Sequence, residues 1–178
     1  MFPSRHVFVT GWTVASQRQI AQDVLGITIG VKVSMPSSFR FLDNVALADL
    51  AFEAEGDSIE EVFYAATQAV IETIASSRTI DTSWERAIER SDRDLSELLF
   101  DWLSDIVYWK DAAGVVFHEA PLTVTKAGDD WVLRARLIGA PVDRQTQELR
   151  NDVKGITKHL YELKQDGASW KARVVLDV

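Results

Sequence analysis

Two capped amphipathic helical runs, set in sequence that otherwise alternates with a period of two, constrain this chain most. The first run opens at Ser58 with Glu61 three residues on, a pairing in which each side chain satisfies a backbone N–H at the start of a helix. Behind it Val62, Phe63, Ala66, Val70 and Ile74 recur at spacings of three and four, which makes one apolar stripe. The second run opens at Ser91 and Asp94, carries Leu95, Leu98, Leu99, Trp102, Leu103, Ile106 and Val107 on one face, and closes at Gly114. Around these runs the pattern is that of strands. Phe39 and Phe41, followed by residues 47–54, read as a half-buried strand, and Gly56-Asp57 as a turn. Residues 79–90 alternate more loosely and read as a further strand. Past Gly114 come strands over 115–117, 122–125 and 131–138, the last two joined by a turn at Ala127-Gly128-Asp129-Asp130. A closing hairpin pairs 153–163 with 170–178 around Gln165-Asp166-Gly167-Ala168. The expectation is an α+β domain, two amphipathic helices packed on largely antiparallel or mixed β-sheet.

A length of 178 residues suits one compact domain. Its first 34 residues carry three basic residues against one acid, while the remainder carries 16 against 26. The step at Ser34-Met35-Pro36-Ser37-Ser38 reads as a boundary. Residues 1–34 are then an N-terminal extension or a mis-called start, with Met35 a natural start, and 35–178 form the domain. Within the extension, 6–10 and 27–33 suit strands and 16–25 a short helix. The net charge of -8 argues against direct nucleic-acid binding, which would want a basic stripe. The absence of cysteine excludes disulfides, zinc-thiolate sites and a thiol nucleophile. No apolar run approaches the roughly 20 residues that span a bilayer, and no secretory leader is evident, so a cytoplasmic protein without a membrane is expected.

Local catalytic signatures are missing. There is no G-x-G-x-x-G, P-loop, G-x-S-x-G or H-E-x-x-H, and the histidines His6, His118 and His159 are far apart. The chain end is the unusual feature. A buried-looking strand stops directly after Asp177, which places the α-carboxylate of Val178 beside a side-chain carboxylate. Two such anions repel unless they are solvated or bridged by a cation. Hard cations such as Ca2+ take oxygen ligands from carboxylates and carbonyls, so a third carboxylate from another strand would complete a site. Asp49 is the natural third group. It lies in a segment otherwise suited to a packed sheet, where an acid must face outward or find a partner. Asp43 is a further acid nearby. Six tryptophans suggest a stacking platform, but their helix and strand positions suit core packing. Lys154, Lys158, His159 and Lys164 form a local basic cluster, readable also as the solvated face of a strand. Lys154 and His159 are its candidates for contact with a phosphate or a partner.

Several stretches resemble the archease family. Leu98-Leu99-Phe100-Asp101-Trp102-Leu103 looks like that family's L-L-x-D-W-L, and Asp111 with Gly114-Val115-Val116-Phe117 its helix exit and following strand. Gly139-Ala140-Pro141-Val142-Asp143 resembles G-E-P-x-D, and Val153-Lys154-Gly155-Ile156-Thr157-Lys158-His159 resembles V-K-A-x-T-x-H. The ending from Trp170 to Val178 resembles W-x-A-R-V-x-L-D-I. Upstream, Ala48-Asp49, Ala54-Glu55-Gly56 and Glu60-Glu61 fit the family's spacing, so the likeness runs from about Phe39 to the end. It implies a non-enzymatic, chaperone-like accessory protein that activates an RtcB-type RNA-splicing ligase, aiding its guanylylation and turnover in tRNA splicing or RNA repair. A tRNA methyltransferase is a second implied partner. The resemblance also implies a divalent cation, typically calcium, held by Asp49, Asp177 and Val178. The chain departs from the pattern in two places. The family's H-T-A-D reads Ala46-Leu47-Ala48-Asp49 here, and a second family histidine is replaced by Gln147. Against the family's spacing, two extra residues also lie between Asp43 and Asp49, which would let Asp43 approach the ion. The alternatives are an adaptor on the same fold serving another protein, and a metal-dependent phosphoester hydrolase built on Asp43, Asp49 and Asp177. Two-metal chemistry normally wants more ligands than that set supplies.

Overall fold

The structure, a computed structural model, describes residues 37–42 and 49–178. The strands and helix expected within residues 1–34, the domain boundary drawn there, and Asp43 lie outside them. The described residues form two antiparallel sheets and two helices. Strands β1 (Ser38–Leu42), β2 (Asp49–Gly56), β7 (Gly155–Asp166) and β8 (Ser169–Asp177) make the first sheet in the order β1-β2-β8-β7. Strands β3 (Trp84–Asp92), β4 (Val115–Glu119), β5 (Leu122–Ala127) and β6 (Asp130–Pro141) make the second, where β6 pairs β3 on one edge and β4 and then β5 on the other. Helices α1 (Ile59–Ile74) and α2 (Leu95–Ala113) each contact both sheets. The α+β expectation holds, with two sheets in place of one and every strand pair antiparallel.

Local chemistry explains the helix ends. Ser58 Oγ accepts the Glu61 N–H at 3.2 Å, and the Glu61 carboxylate accepts from Asp57 N–H at 2.7 Å, one residue before the expected reciprocal bond. Asp94 alone caps α2, accepting from the N–H groups of Ser96 and Glu97, because Ser91 belongs to β3. Gly114 ends α2 at φ 62, a left-handed conformation in which a glycine carries no Cβ penalty. The last turn of α1 holds no basic residue; a distant connection supplies the missing donors. Arg150 N–H reaches Ile74 O at 2.9 Å, Asn151 N–H reaches Thr73 O at 3.1 Å, and Arg150 Nη1 reaches Glu72 O at 2.8 Å. The strand expected over 79–90 begins only at Trp84. Residues Ser77–Thr79 form a 3-10 turn instead, in which Thr79 Oγ1 donates to Ser76 O and accepts from Glu148 N–H.

One core joins the layers. Trp102, Phe63 and Phe52 are fully buried within it, and burial of each large side chain contributes about 2–3 kcal/mol. Trp102 Nε1 donates to Thr67 Oγ1 at 2.7 Å, and that hydroxyl donates to Phe63 O, so the indole N–H is satisfied across the two helices. Trp84, Trp109, Trp131 and Trp170 pack against the same core, which accounts for these tryptophans without a stacking platform. Among the described residues no helix is long and apolar enough to cross a membrane.

Candidate cation site at the chain terminus

The last strand is an interior strand, flanked by β2 and β7, and this placement creates the site. The β2–β8 register sets Asp49 opposite Asp177, and the β7–β8 register sets Gly155 opposite Asp177 from the other side. Opposed residues in an antiparallel pair share a face, with Cβ atoms about 5 Å apart. Leu50, Leu176 and Ile156 point into the core, so Asp49, Asp177 and Gly155 form a rung on the opposite face. Val178 packs against the core beyond Leu176, and Lys154 N–H donates to Asp177 O at 2.8 Å. The terminus is therefore tied down, with its α-carboxylate following directly on Asp177.

Three expected ligand residues are thus brought together: Asp49, Asp177 and Val178. Asp49 is half-buried and Asp177 exposed, and neither carboxylate has a hydrogen-bond or ion-pair partner among the described residues. Among those residues no three His, Cys, Asp or Glu side chains cluster tightly enough to hold a metal. The described side chains supply two carboxylates at this end, Asp49 and Asp177, and the main chain runs on from the latter into Val178. The donor set suits a hard cation, since it consists wholly of oxygens, and two opposed anions are destabilising until something bridges them. Space is present as well: a Cβ built on Gly155 would meet nothing within 4 Å. One rung inward on this face stand Ala51, Val175 and Thr157, and the buried Thr157 Oγ1 has no hydrogen-bond partner among the described residues.

Lys154 and His159 fare differently. Lys154 sits beside the terminus and lines a groove of about 650 Å3 with Phe100, Val107, Tyr108 and Ile156. It makes no ion pair among the described residues. His159 is exposed in a bulge between Thr157 and Glu162, where β7 carries four residues against one on β8, and this bulge carries it away from the acid rung. The expected basic cluster is dispersed. Lys158 Nζ pairs with Glu97 at 2.5 Å and lies over the Phe100 ring, while Lys164 pairs with Glu162. Gln147, at the second lost histidine, braces a turn: its amide donates to Pro141 O and accepts from Asp143 N–H.

The far end of the same face is a charge ladder. Glu53 accepts from Arg173 Nη2 at 2.6 Å and from Arg40, and these two guanidinium groups, Arg173 foremost, hold its carboxyl below the usual range. In contrast to the bare acids at the terminus, this carboxylate is answered from both flanking strands.

A family model with this length of match settles the lineage. Residues 39–178 match the archease protein family (MTH1598/TM1083). This chain is an archease-family protein. It is 30% identical over 140 residues to protein archease of Methanothermobacter thermautotrophicus, an alignment covering 79% of this chain and 98% of that one. The archease of Pyrococcus furiosus is 31% identical over 133 residues, covering 74% and 93%. Among solved structures, the solution structure of Methanobacterium thermoautotrophicum protein 1598 superposes with a TM-score of 0.68 at 29% identity, covering 79% of this chain and 98% of that one. An archease from Thermotoga maritima, described as a possible chaperone, shares the fold at a TM-score of 0.51 and 23% identity, covering 75% and 93%. The archease match starts beyond residues 1–34, so those residues have no counterpart in it.

Proposed function

We propose that this archease is a non-enzymatic, chaperone-like accessory protein that binds a divalent cation, best Ca2+, at Asp49, Asp177 and the terminal carboxylate of Val178. The observation that carries this reading is the register that opposes Asp49 and Asp177 at a partly buried, pinned chain end. Bound there, the ion would neutralise the repulsion of the rung and present its remaining coordination positions outward. Its partner on this reading is an RtcB-type RNA ligase, whose guanylylation and turnover it assists in tRNA splicing or RNA repair in the cytoplasm. The excess of acids favours docking on a basic surface, so association should slow as salt rises. Lys154, beside the terminus and without an ion pair among the described residues, is the residue placed to meet a phosphate or a carboxylate of the partner. His159 is a weaker candidate because the bulge separates it from that end. A tRNA methyltransferase is a further partner to test by the same means.

Calcium titration by calorimetry on wild type, Asp49→Ala and a chain lacking residues 177–178 tests the ion. Binding in wild type alone supports the three-part site. A ligase guanylylation assay with and without the protein then tests the partner, and unchanged rates with stable ion binding would sink the ligase reading. The loss of histidine and threonine at Ala46-Leu47 favours one second reading, an adaptor of archease fold for another protein. Recovery of a different partner, and no RNA ligase, from the native host would establish it.

A further inference from the structure

We infer that the Thr157 hydroxyl belongs to the cation site, as the positioning group that fixes the Asp177 carboxylate on the bound ion. This inference rests on the cation reading above. Thr157 pairs with Val175, two residues before Asp177, and follows Gly155 by two, so its side chain stands on the face of the acid rung and one step inward. Its Oγ1 is buried and has no hydrogen-bond partner among the described residues. Its neighbours across the rung, Val175 and Ala51, are each 1% exposed and offer no side-chain polar atom.

A threonine that finds no partner is a poor choice for packing alone, because valine has the same shape and leaves no buried hydroxyl unmet. The polar groups next along this face are the carboxylates of the rung on one side and Glu53 with Arg173 on the other; the latter two are bonded to each other, which leaves the rung for the hydroxyl. Asp177 is the diagonal neighbour of Thr157 across the β7–β8 pair, at a separation of about 7 Å that closes to a hydrogen bond only when the carboxylate turns toward the hydroxyl. Asp177 is exposed and faces the like charge of Asp49, which pushes the two carboxylates apart. A cation removes that repulsion. One carboxylate oxygen can then ligate the ion while the other accepts from Thr157 Oγ1, as metal-bound carboxylates generally accept a hydrogen bond in turn. The open position above Gly155 leaves room for the water ligands that complete a calcium sphere.

The test compares wild type, Thr157→Val and Thr157→Ser by calcium calorimetry and by thermal melts in chelator and in saturating calcium. Thr157→Val should bind calcium roughly tenfold more weakly. It should also melt at or above wild type in chelator, since its unmet hydroxyl is gone. Thr157→Ser keeps the hydroxyl and should bind close to wild type. Wild-type affinity in Thr157→Val overturns the inference while leaving the cation site standing, and so does a Ser variant as weak as the Val variant. A wild-type protein that binds no divalent ion in a calcium, magnesium and manganese series removes the site itself, and this role with it.

Discussion

At the scale of single residues, Asp49 and Asp177 stand opposed as like charges, an arrangement that the proposed cation would relieve. Opposed like charges on adjacent strands cost about 0.2–1 kcal/mol, so Asp49→Asn should melt slightly higher than wild type in chelator. On the proposed cation site, calcium should raise the melting temperature of wild type and leave that of this variant unchanged. A variant that melts lower in chelator would show that Asp49 has a stabilising partner of its own. Glu53 behaves in the opposite sense. Its carboxyl is held below the unfolded value of 4.5 by Arg173 and Arg40, so its contribution is fully present above that value. It is lost as pH falls below 4.5 through the lower folded value. Glu53→Gln should therefore cost about 1 kcal/mol at neutral pH, through weakened charge-assisted bonds to both guanidinium groups. Below pH 4.5 the gap to wild type should close, measured as urea midpoints across the acid range. A gap that stays constant with pH would assign the loss to packing.

At the scale of elements, the bulge of β7 and the support of α1 behave in opposite ways. Leu160 lies in the bulge at φ 54 and is 51% exposed, so it bears the steric cost of a left-handed side chain with half its surface in water. On either side the bulge is fastened to α2: Tyr161 donates its hydroxyl to Ser96 O at 2.7 Å, and Lys158 pairs with Glu97. Leu160→Gly should relieve the strain and gain about 0.5–1 kcal/mol, net of the larger unfolded-state entropy of glycine. Loss of stability would mean that the leucine's contacts outweigh its strain. For α1 the strain is absent and the dependence is long-range. Arg150 supplies two side-chain bonds at the helix C-terminus, to Glu72 O and to the Glu72 carboxylate at 2.7 Å. Arg150→Ala should cost about 1–2 kcal/mol in chemical denaturation. A negligible cost would show that the Asn151 and main-chain bonds suffice.

At the scale of the whole molecule, the last strand lies in the middle of a sheet, and this couples the terminus to the fold. Removing residues 177–178 takes away Val178's partial burial but leaves Val174 and Leu176 in the core. The truncated chain should keep its far-ultraviolet circular dichroism and a cooperative melt, at a cost of about 1 kcal/mol. On the proposed cation site, the melt of the intact chain should respond to calcium and that of the truncated chain should not. A truncated chain that still responds would place the ion elsewhere.

Much of this protein is legible in its amino-acid order alone. Helix caps and apolar spacing are local signals, so Ser58, Asp94 and Gly114 mark their helix ends by short-range chemistry. The hairpin turns at Gly128 and Gly167 are equally local, both with positive φ. The charges at the chain end raise the question of a cation locally, because two anions joined through one peptide unit repel unless they are solvated or bridged. Tertiary structure decides the rest. The strand read over 79–90 begins only at Trp84, after a 3-10 turn whose Thr79 hydroxyl accepts from Glu148, sixty-nine residues away. That Asp49 faces Asp177 depends on β8 inserting between β2 and β7, a long-range pairing that periodicity cannot rank. The open position at Gly155 and the unmet hydroxyl of Thr157 depend on register, where a slip of one residue turns every side chain to the other face. Local sequence thus determined the elements and the chemistry they carry. Only the packing of strands distant in sequence determined which groups share one site.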